Sequence, residues 1–488
     1  MSRRSPAPAV RHLFGTDGIR APFGTFPLDR ATVTGLGRHL AQSLRETTGE
    51  SRPEVVLGGD TRESTPVICA WLANGLAAGG ADSRWVGVLP TAGIAYLVRG
   101  LGTAAGVAVS ASHNPYPDNG IKLIDPWGFK WSEAAEAALE TRLLAGGPEG
   151  PAAVETGEGD DGGAFDLGGH EEALVEHYVE ALASTLPGRR PLAGLRLAVD
   201  AGNGAASTFA EPLFRRLGAG VRVIHASPDG RNVNLACGST DTGDLAREVV
   251  TGGHHLGVAF DGDADRVILV DEGGLERDGD AILYLWAREL AETGSLEPPR
   301  IVATSMSNLG LERALAEHGI VVERCGVGDR EVVDTLRRES LLLGGEQSGH
   351  VVHLGLSTTG DGLLTALQMA FLVARQVRGG AAERPLSGLL AGFRRFPQVL
   401  VNVRVREKPD LLGLAEVAAA AREAEERLGA DGRLVLRYSG TEPLARVMIE
   451  GPDQEEIEAL AGRIAETIRD AIGAETGAET PAAAEVGR

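Results

Sequence analysis

An α/β fold of several domains is what this sequence predicts, on three observations. Short apolar runs that end in glycine-rich loops recur along the chain, at 55–60, 195–200, 256–260 and 301–304. Segments with helical apolar spacing lie between them, at 31–45, 67–78, 311–318 and 363–377, and alternation of strands with helices favours crossover connections and mixed sheets. The chain has 488 residues, far more than the roughly 100–200 that one core organises, so three or four domains are expected.

Taken in order, the first ten residues, MSRRSPAPAV, carry charge but no apolar stretch of signal-peptide length, and read as a disordered tail. No later run approaches a membrane span. The stretch 146–169 is rich in Gly, Pro and acid and reads as a solvated loop near the first domain boundary. Further breaks fall after 271–274 and across 379–397. The last domain opens on the alternating strand 400–405 and closes on the amphipathic helix 455–472, and the low-complexity tail 474–488 reads as disordered. The expected boundaries are 11–170, 171–274, 275–392 and 393–475.

Net charge is −21, which argues against nucleic acid and against anionic membranes as partners, because sequence-independent affinity for either rests on Lys and Arg. An anionic small molecule would need a locally basic pocket. Cys69, Cys237 and Cys325 are widely separated and form no CxxC pair, so a reducing, cytoplasmic compartment is expected.

Four polar loops carry the chemistry. In 106–122, GVAVSASHNPYPDNGIK, Ser112 follows an apolar strand and precedes a proline-fixed turn, a rigid corner that suits a nucleophile. Ser110 is the alternative, and His113 orients the loop or contacts phosphate. Asp261, Asp263 and Asp265 alternate in DGDADR between two apolar strands, beside Arg266. Carboxylates so close raise one another's pKa unless a cation sits among them, and oxygen-only ligation suits Mg²⁺ best, with Mn²⁺ open and Ca²⁺ lacking the later bidentate Glu of an EF-hand. The alternative is an exposed acidic turn.

Only three of the 47 basic residues are lysines. A chain that uses Arg almost everywhere keeps Lys at 122, where an amine able to titrate serves as general base or acid, with His350 as partner. Lys130 and Lys408 read as surface lysines. In GEQSGH, Glu346 and Ser348 suit vicinal sugar hydroxyls. In RYSGTEP, Arg437, Ser439, Thr441 and the amides near Gly440 form a nest for a phosphate dianion, with Arg446 as a second charge. The pair His254 and His255 reads as a solvated turn.

These loops, with FGTDGIR at 14–20, resemble the α-D-phosphohexomutase superfamily and, within it, the phosphoglucosamine mutases. The motifs stand in the family's order from 14 to 451. The resemblance implies three related α/β domains plus a smaller α+β C-terminal domain around a central cleft. It also implies a phosphorylated Ser112 completing the metal's coordination, Arg20 reaching towards that serine, and Asp329 and Arg330 on the third-domain side of the cleft. The implied reaction interconverts glucosamine 6-phosphate and glucosamine 1-phosphate through a bisphosphate, with Mg²⁺ as cofactor and a hexose 1,6-bisphosphate as priming activator, and it leaves room for a homodimer. A phosphomannomutase/phosphoglucomutase, a metal-dependent phosphatase and a non-catalytic sugar-phosphate-binding protein remain as alternatives. Ala21, Leu123, Ile124 and Ala264 depart from the family pattern.

Overall fold

The computed structural model describes residues 13–145, 172–439 and 443–473. The expectations for the first ten residues, for 146–169, for 474–488 and for Gly440 and Thr441 lie outside the described residues. The described residues pack as two units, one running to Thr304 together with Glu323–Ala391, the other formed by Ser305–Val322 and the residues from Gly392 onward.

The first sheet contains β1 (Phe14–Gly15), β2 (Gly18–Pro22), β3 (Glu54–Gly59), β4 (Asp82–Val88), β5 (Ala105–Val109) and β6 (Asp118–Ile124), in the order β1-β2-β6-β5-β3-β4. Its central strands are buried on both faces and read as continuous apolar runs. Helices α1 (Arg30–Thr48), α2 (Thr65–Gly79), α3 (Thr91–Leu101) and α4 (Glu133–Leu144) belong to the same region. The start of α1 is set by Asp29, whose carboxylate accepts from the Thr32 N–H, and its end by Gly49 in the left-handed conformation.

After α5 (Glu172–Ser184), the second sheet is built from β7 (Arg196–Asp200), β8 (Gly220–Ile224), β9 (Leu256–Phe260), β10 (Val267–Asp271) and β11 (Glu276–Arg277), with α6 (Ala210–Arg216) and α7 (Gly243–Gly252) between strands. Its order is β11-β10-β9-β7-β8. The third follows α8 (Gly279–Glu292) and contains β12 (Arg300–Thr304), β13 (Val321–Cys325), β14 (Leu343–Gly345) and β15 (Val351–His353), ordered β13-β12-β14-β15, with α9 (Leu309–Ala316), α10 (Asp329–Glu339) and α11 (Gly362–Arg378) in the same stretch of chain.

One topological feature repeats across these sheets. A parallel pair (β3 with β5, β7 with β9, β12 with β14) is extended by one antiparallel neighbour (β6, β10, β15). The loop joining that antiparallel pair is, in turn, the Ser112 loop, the acidic loop and the GEQSGH loop. Chemistry therefore sits at the same hairpin of each sheet, at the carboxyl end of a buried strand.

In the second unit, β16 (Gln398–Arg404), β17 (Arg433–Tyr438) and β18 (Leu444–Glu450) form an antiparallel sheet, order β16-β18-β17, covered by α12 (Ala415–Leu428) and α13 (Gln454–Ile472). Ile457, Leu460, Ile464 and Ile468 lie on one face of α13 and pack with Val403, Val447 and Ile449 of the sheet. Helix α9 belongs to this unit, and Glu450 accepts from Asn308 Nδ2 at 3.1 Å and from the Leu309 N–H at 3.2 Å.

Candidate active site

Ser112 sits just past β5 with φ +54°, a left-handed conformation that costs a non-glycine residue energy and persists only where its surroundings hold it. Two side chains supply that hold. Arg62, itself buried and paired with Asp60, donates to Asn114 O at 2.6 Å and Ser112 O at 3.5 Å. Asn234, from the second sheet's loops, donates to the same two carbonyls at 3.1 and 2.9 Å. Ser110 is occupied differently: its hydroxyl donates to Asp60 at 2.5 Å and accepts the Ser112 N–H at 2.9 Å. The Ser112 hydroxyl instead donates to Asp261 Oδ2 at 2.5 Å.

Asp261, Asp263 and Asp265 are all buried and bring one carboxylate oxygen each within 4.8 Å of the others. Burial, then Asp265 and Asp263, push the Asp261 carboxyl well above its ordinary value. Burial acts the same way on Asp263, but Lys122 and the Thr91 hydroxyl, 2.6 Å away, outweigh it and hold Asp263 low. Asp263 Oδ1 and Asp265 Oδ1 are buried with no hydrogen-bond partner among the described residues. Buried carboxylate oxygens left without donors are rare, because desolvation is then uncompensated. This donor set, all hard oxygen, fits Mg²⁺.

Lys122, on β6, is buried with Nζ 2.8 Å from Asp263 Oδ2, 3.0 Å from Asp265 Oδ2 and 3.4 Å from Asp17 Oδ2. Burial would lower its pKa, but the carboxylates of Asp17, Asp263 and Asp265 win and raise it well above the ordinary lysine value. The expectation of an amine that titrates as base or acid is therefore corrected: beside these carboxylates Lys122 is an ammonium that holds its proton and acts through its charge.

Lys130 is also a correction. Its amine is not on the surface but is inserted between Asp17 and Asp329, with only 14% of its side chain exposed. Asp329 Oδ2 is 3.7 Å from His350 Nε2. A chain of alternating charge thus runs from the acidic loop through Lys122, Asp17 and Lys130 to Asp329, beside which His350 stands. Neither ring nitrogen of His350 has a hydrogen-bond partner among the described residues, nor does Ser348 Oγ. Gly360 lies against the imidazole, where a Cβ would come within 2.3 Å of Nε2.

The other expected residues are placed as follows. Glu346 accepts the Gly328 N–H at 3.1 Å, and burial raises its pKa. Arg20 pairs with Asp17. Arg266 donates to His113 Nδ1 at 3.1 Å; burial, then Arg266 and Arg20, lower the His113 pKa to about 4, so the ring is neutral. Arg330 is engaged by Glu136 at 2.8 Å and Glu133 at 3.5 Å, on α4. His255 accepts the Arg196 N–H at 3.1 Å, a structural role. Sequence reasoning missed Asp17, Arg62, Thr91, Lys130 and Asn234. For Lys130 a signal existed, since the scarcity of lysine that singled out Lys122 applied to it equally.

In the second unit, Arg437 and Arg446 are direct cross-strand partners on β17 and β18. Burial and the Arg446 charge lower the Arg437 pKa. Arg446 Nη2 donates to Ser439 Oγ at 3.5 Å, and Lys408, exposed but not idle, donates to Ser439 O at 2.6 Å. Like charges set opposite each other destabilise a hairpin. An anion bound between them reverses the sign.

Comparison with known proteins agrees with this construction. Models of the phosphoglucomutase/phosphomannomutase family match in sequence, alpha/beta/alpha domain I at 11–148, domain II at 176–274, domain III at 278–396 and the C-terminal domain at 400–467. A phosphoglucosamine mutase of Solibacter usitatus is 44% identical over 466 residues, 95% of this chain and 100% of that one. One from Myxococcus xanthus is 42% identical, covering 96% and 98%. Among solved structures, a phosphoglucomutase/phosphomannomutase family protein from Burkholderia thailandensis has the same fold, with TM-score 0.75, 24% identity and coverage of 96% and 99%. An Aspergillus fumigatus N-acetylphosphoglucosamine mutase solved with GlcNAc-6P and magnesium has TM-score 0.64 at 19% identity, covering 94% and 96%.

Proposed function

Since the chain belongs to the phosphoglucomutase/phosphomannomutase family, we propose that it is a mutase interconverting glucosamine 6-phosphate and glucosamine 1-phosphate, the activity named for its 44%-identical relative. The observation that carries the chemistry is the Ser112 hydroxyl held 2.5 Å from Asp261, at the edge of a buried carboxylate trio with oxygens left unmatched.

Phosphorylated Ser112 gives its phosphoryl group to the free hydroxyl of the bound sugar phosphate. The bond from phosphorus to the serine oxygen breaks and one to the sugar oxygen forms, leaving a sugar bisphosphate. The reverse step, with the bisphosphate turned end for end, returns its other phosphate to Ser112. Splitting the isomerisation into two transfers through a covalent enzyme replaces one difficult step by two easier ones. Asp261, Asp263 and Asp265, with the phosphoserine, would hold Mg²⁺, which when bound draws charge from the phosphoryl oxygens.

His350, whose ring nitrogens have no hydrogen-bond partner among the described residues, takes the proton of the attacking hydroxyl. Lys122, an ammonium, neutralises the oxygen that leaves. Arg62 and Asn234 position the serine loop by holding its carbonyls. Glu346 and Ser348 contact sugar hydroxyls, and Arg437, Arg446 and Ser439 take the phosphate that is not reacting.

The test is an assay with glucosamine 1-phosphate on enzyme primed by a hexose 1,6-bisphosphate, with glucose and mannose phosphates as comparison. Formation of glucosamine 6-phosphate at the highest kcat/KM supports the reading. Preference for glucose or mannose phosphate moves it to another hexose, and stoichiometric release of inorganic phosphate makes it a phosphatase.

A further inference from the structure

Away from the serine, the second sheet brings together an aspartate, a histidine and a cysteine that the proposed mutase chemistry does not use. Strands β7 and β8 are parallel neighbours with Asp200 opposite Ile224, so Asp200 and the next residue on β8's exit, His225, emerge side by side. Cys237 arrives on the loop that follows. The ligand atoms of Asp200, His225 and Cys237 all lie within 4.8 Å of one another. Asp200 and Cys237 are buried, while a quarter of the His225 side chain is exposed and opens the cluster to solvent.

The second shell favours a metal. His225 directs Nδ1 at Asp200 Oδ2, 3.0 Å away, while Nε2 is 3.3 Å from Asp244 Oδ2. Nδ1 thus stands at hydrogen-bond distance from Asp200, and a cation seated between the two would take the place of a proton there, with the Asp244 carboxylate left to hold the N–H on Nε2, the arrangement in which metal-bound histidines are commonly held. Asn203 Nδ2 is 3.8 Å from Cys237 Sγ, placing an N–H beside the sulfur. Asp200 is fixed by the N–H groups of Gly202 and Gly238, at 2.9 and 3.0 Å. The backbone is strained here: Asn203, His225, Asn234 and Ala236 are four of the seven non-glycine residues with positive φ among the described residues. Strain of this kind concentrates at functional sites.

We propose that Asp200, His225 and Cys237 form a second cation site, distinct from the acidic trio, that takes a thiophilic divalent ion of the zinc class. Mixed sulfur, imidazole and carboxylate ligation selects zinc over magnesium, and a tetrahedral ion with bonds of roughly 2.0–2.3 Å needs these atoms to draw together by about an ångström. Water fills the fourth position.

The site is wired to the serine loop. Between His225 and Cys237 the chain passes through Asn234, whose N–H donates to Gly202 O at 2.9 Å and whose side chain holds the Ser112 and Asn114 carbonyls. Gly238 abuts Phe260, the residue before Asp261, so closely that a Cβ would come within 2.5 Å of its carbonyl oxygen. An ion that fixes the 225–238 loop thereby fixes the clamp on Ser112.

The proposal is tested on the full chain with cobalt(II) alone as probe, under saturating Mg²⁺ so that the acidic trio does not compete. The expected result is a tetrahedral cobalt spectrum with a thiolate-to-metal charge-transfer band, abolished by zinc and by Cys237→Ser, and retained in Cys325→Ser. His225→Asn and Asp244→Asn, both at partly exposed side chains, keep the fold and should weaken cobalt binding, the latter about 10–100-fold. Absence of the band in the wild-type protein, its survival in Cys237→Ser, or wild-type affinity in His225→Asn would each overturn the assignment.

Discussion

Lys122 Nζ lies 2.8 Å from Asp263 Oδ2 and 3.0 Å from Asp265 Oδ2, so one ammonium shares two of the three carboxylates of the candidate metal loop. Coupling of this kind makes the lysine's protonation depend on the loop's own charge. Lys122→Arg keeps the charge but substitutes a planar group that cannot give up its proton. The expected outcome is a kcat at least about tenfold lower with KM little changed, and a neutral limb of the pH–rate profile that persists. Loss of that limb would show instead that the amine deprotonates in the working enzyme.

Ser112→Ala removes the serine hydroxyl bonded to the acidic trio, while that of Ser110 is committed to Asp60. Turnover should vanish. Intact-protein mass should show one phosphoryl adduct on the wild-type chain and none on the variant, and a retained adduct would move the nucleophile elsewhere.

Asp263→Asn cuts the charge of the trio and also loosens Lys122 and the Thr91 hydroxyl, both of which hold the same oxygen. Steady-state kinetics at varied Mg²⁺ should show kcat down by about 100-fold or more, with a higher Mg²⁺ requirement and a smaller change in KM. A large KM effect with normal kcat would place Asp263 in substrate recognition.

What the sequence disclosed follows a physical line. Ser112 and the acidic loop were legible because the strand, the turn and the side chain that define each are contiguous. The fold was legible for the same reason: Arg30–Thr48 and Gln398–Arg404 match the periodicity over 31–45 and 400–405 to within a few residues. Lys130 was not, because its burial is decided by Asp329, 199 positions away. Arg330 was expected on the third-domain side of the cleft, but its pairing with Glu136 was not legible, because that partner belongs to a helix 194 positions earlier. The positive φ of Ala264 gives the reason a glycine is expected there, something composition alone does not reveal.

Arg437→Ala separates binding from chemistry. Removing a charge-assisted contact present in both ground and transition states should raise KM for either sugar phosphate about 10–100-fold and leave kcat nearly intact. The same change relieves the cross-strand repulsion with Arg446, so thermal stability should hold or rise. A fall in kcat with unchanged KM would exclude a role in holding the phosphate.

Asp361 offers a pH test independent of catalysis. It caps α11, accepting from the Leu364 N–H at 2.9 Å and the Tyr178 hydroxyl at 2.9 Å, yet burial raises its pKa to about 6. For an acid raised on folding, the native state prefers the proton, so this contribution to stability is full below the unfolded value near 4 and is lost as pH climbs through about 6. The loss amounts to at most about 3 kcal/mol. Asp361→Asn keeps an oxygen for the cap and removes the ionisation, so the variant should gain on the wild type between pH 4 and pH 7, seen as a flatter dependence of unfolding free energy on pH. Parallel pH profiles for the two proteins would mean that Asp361 ionises freely in the fold.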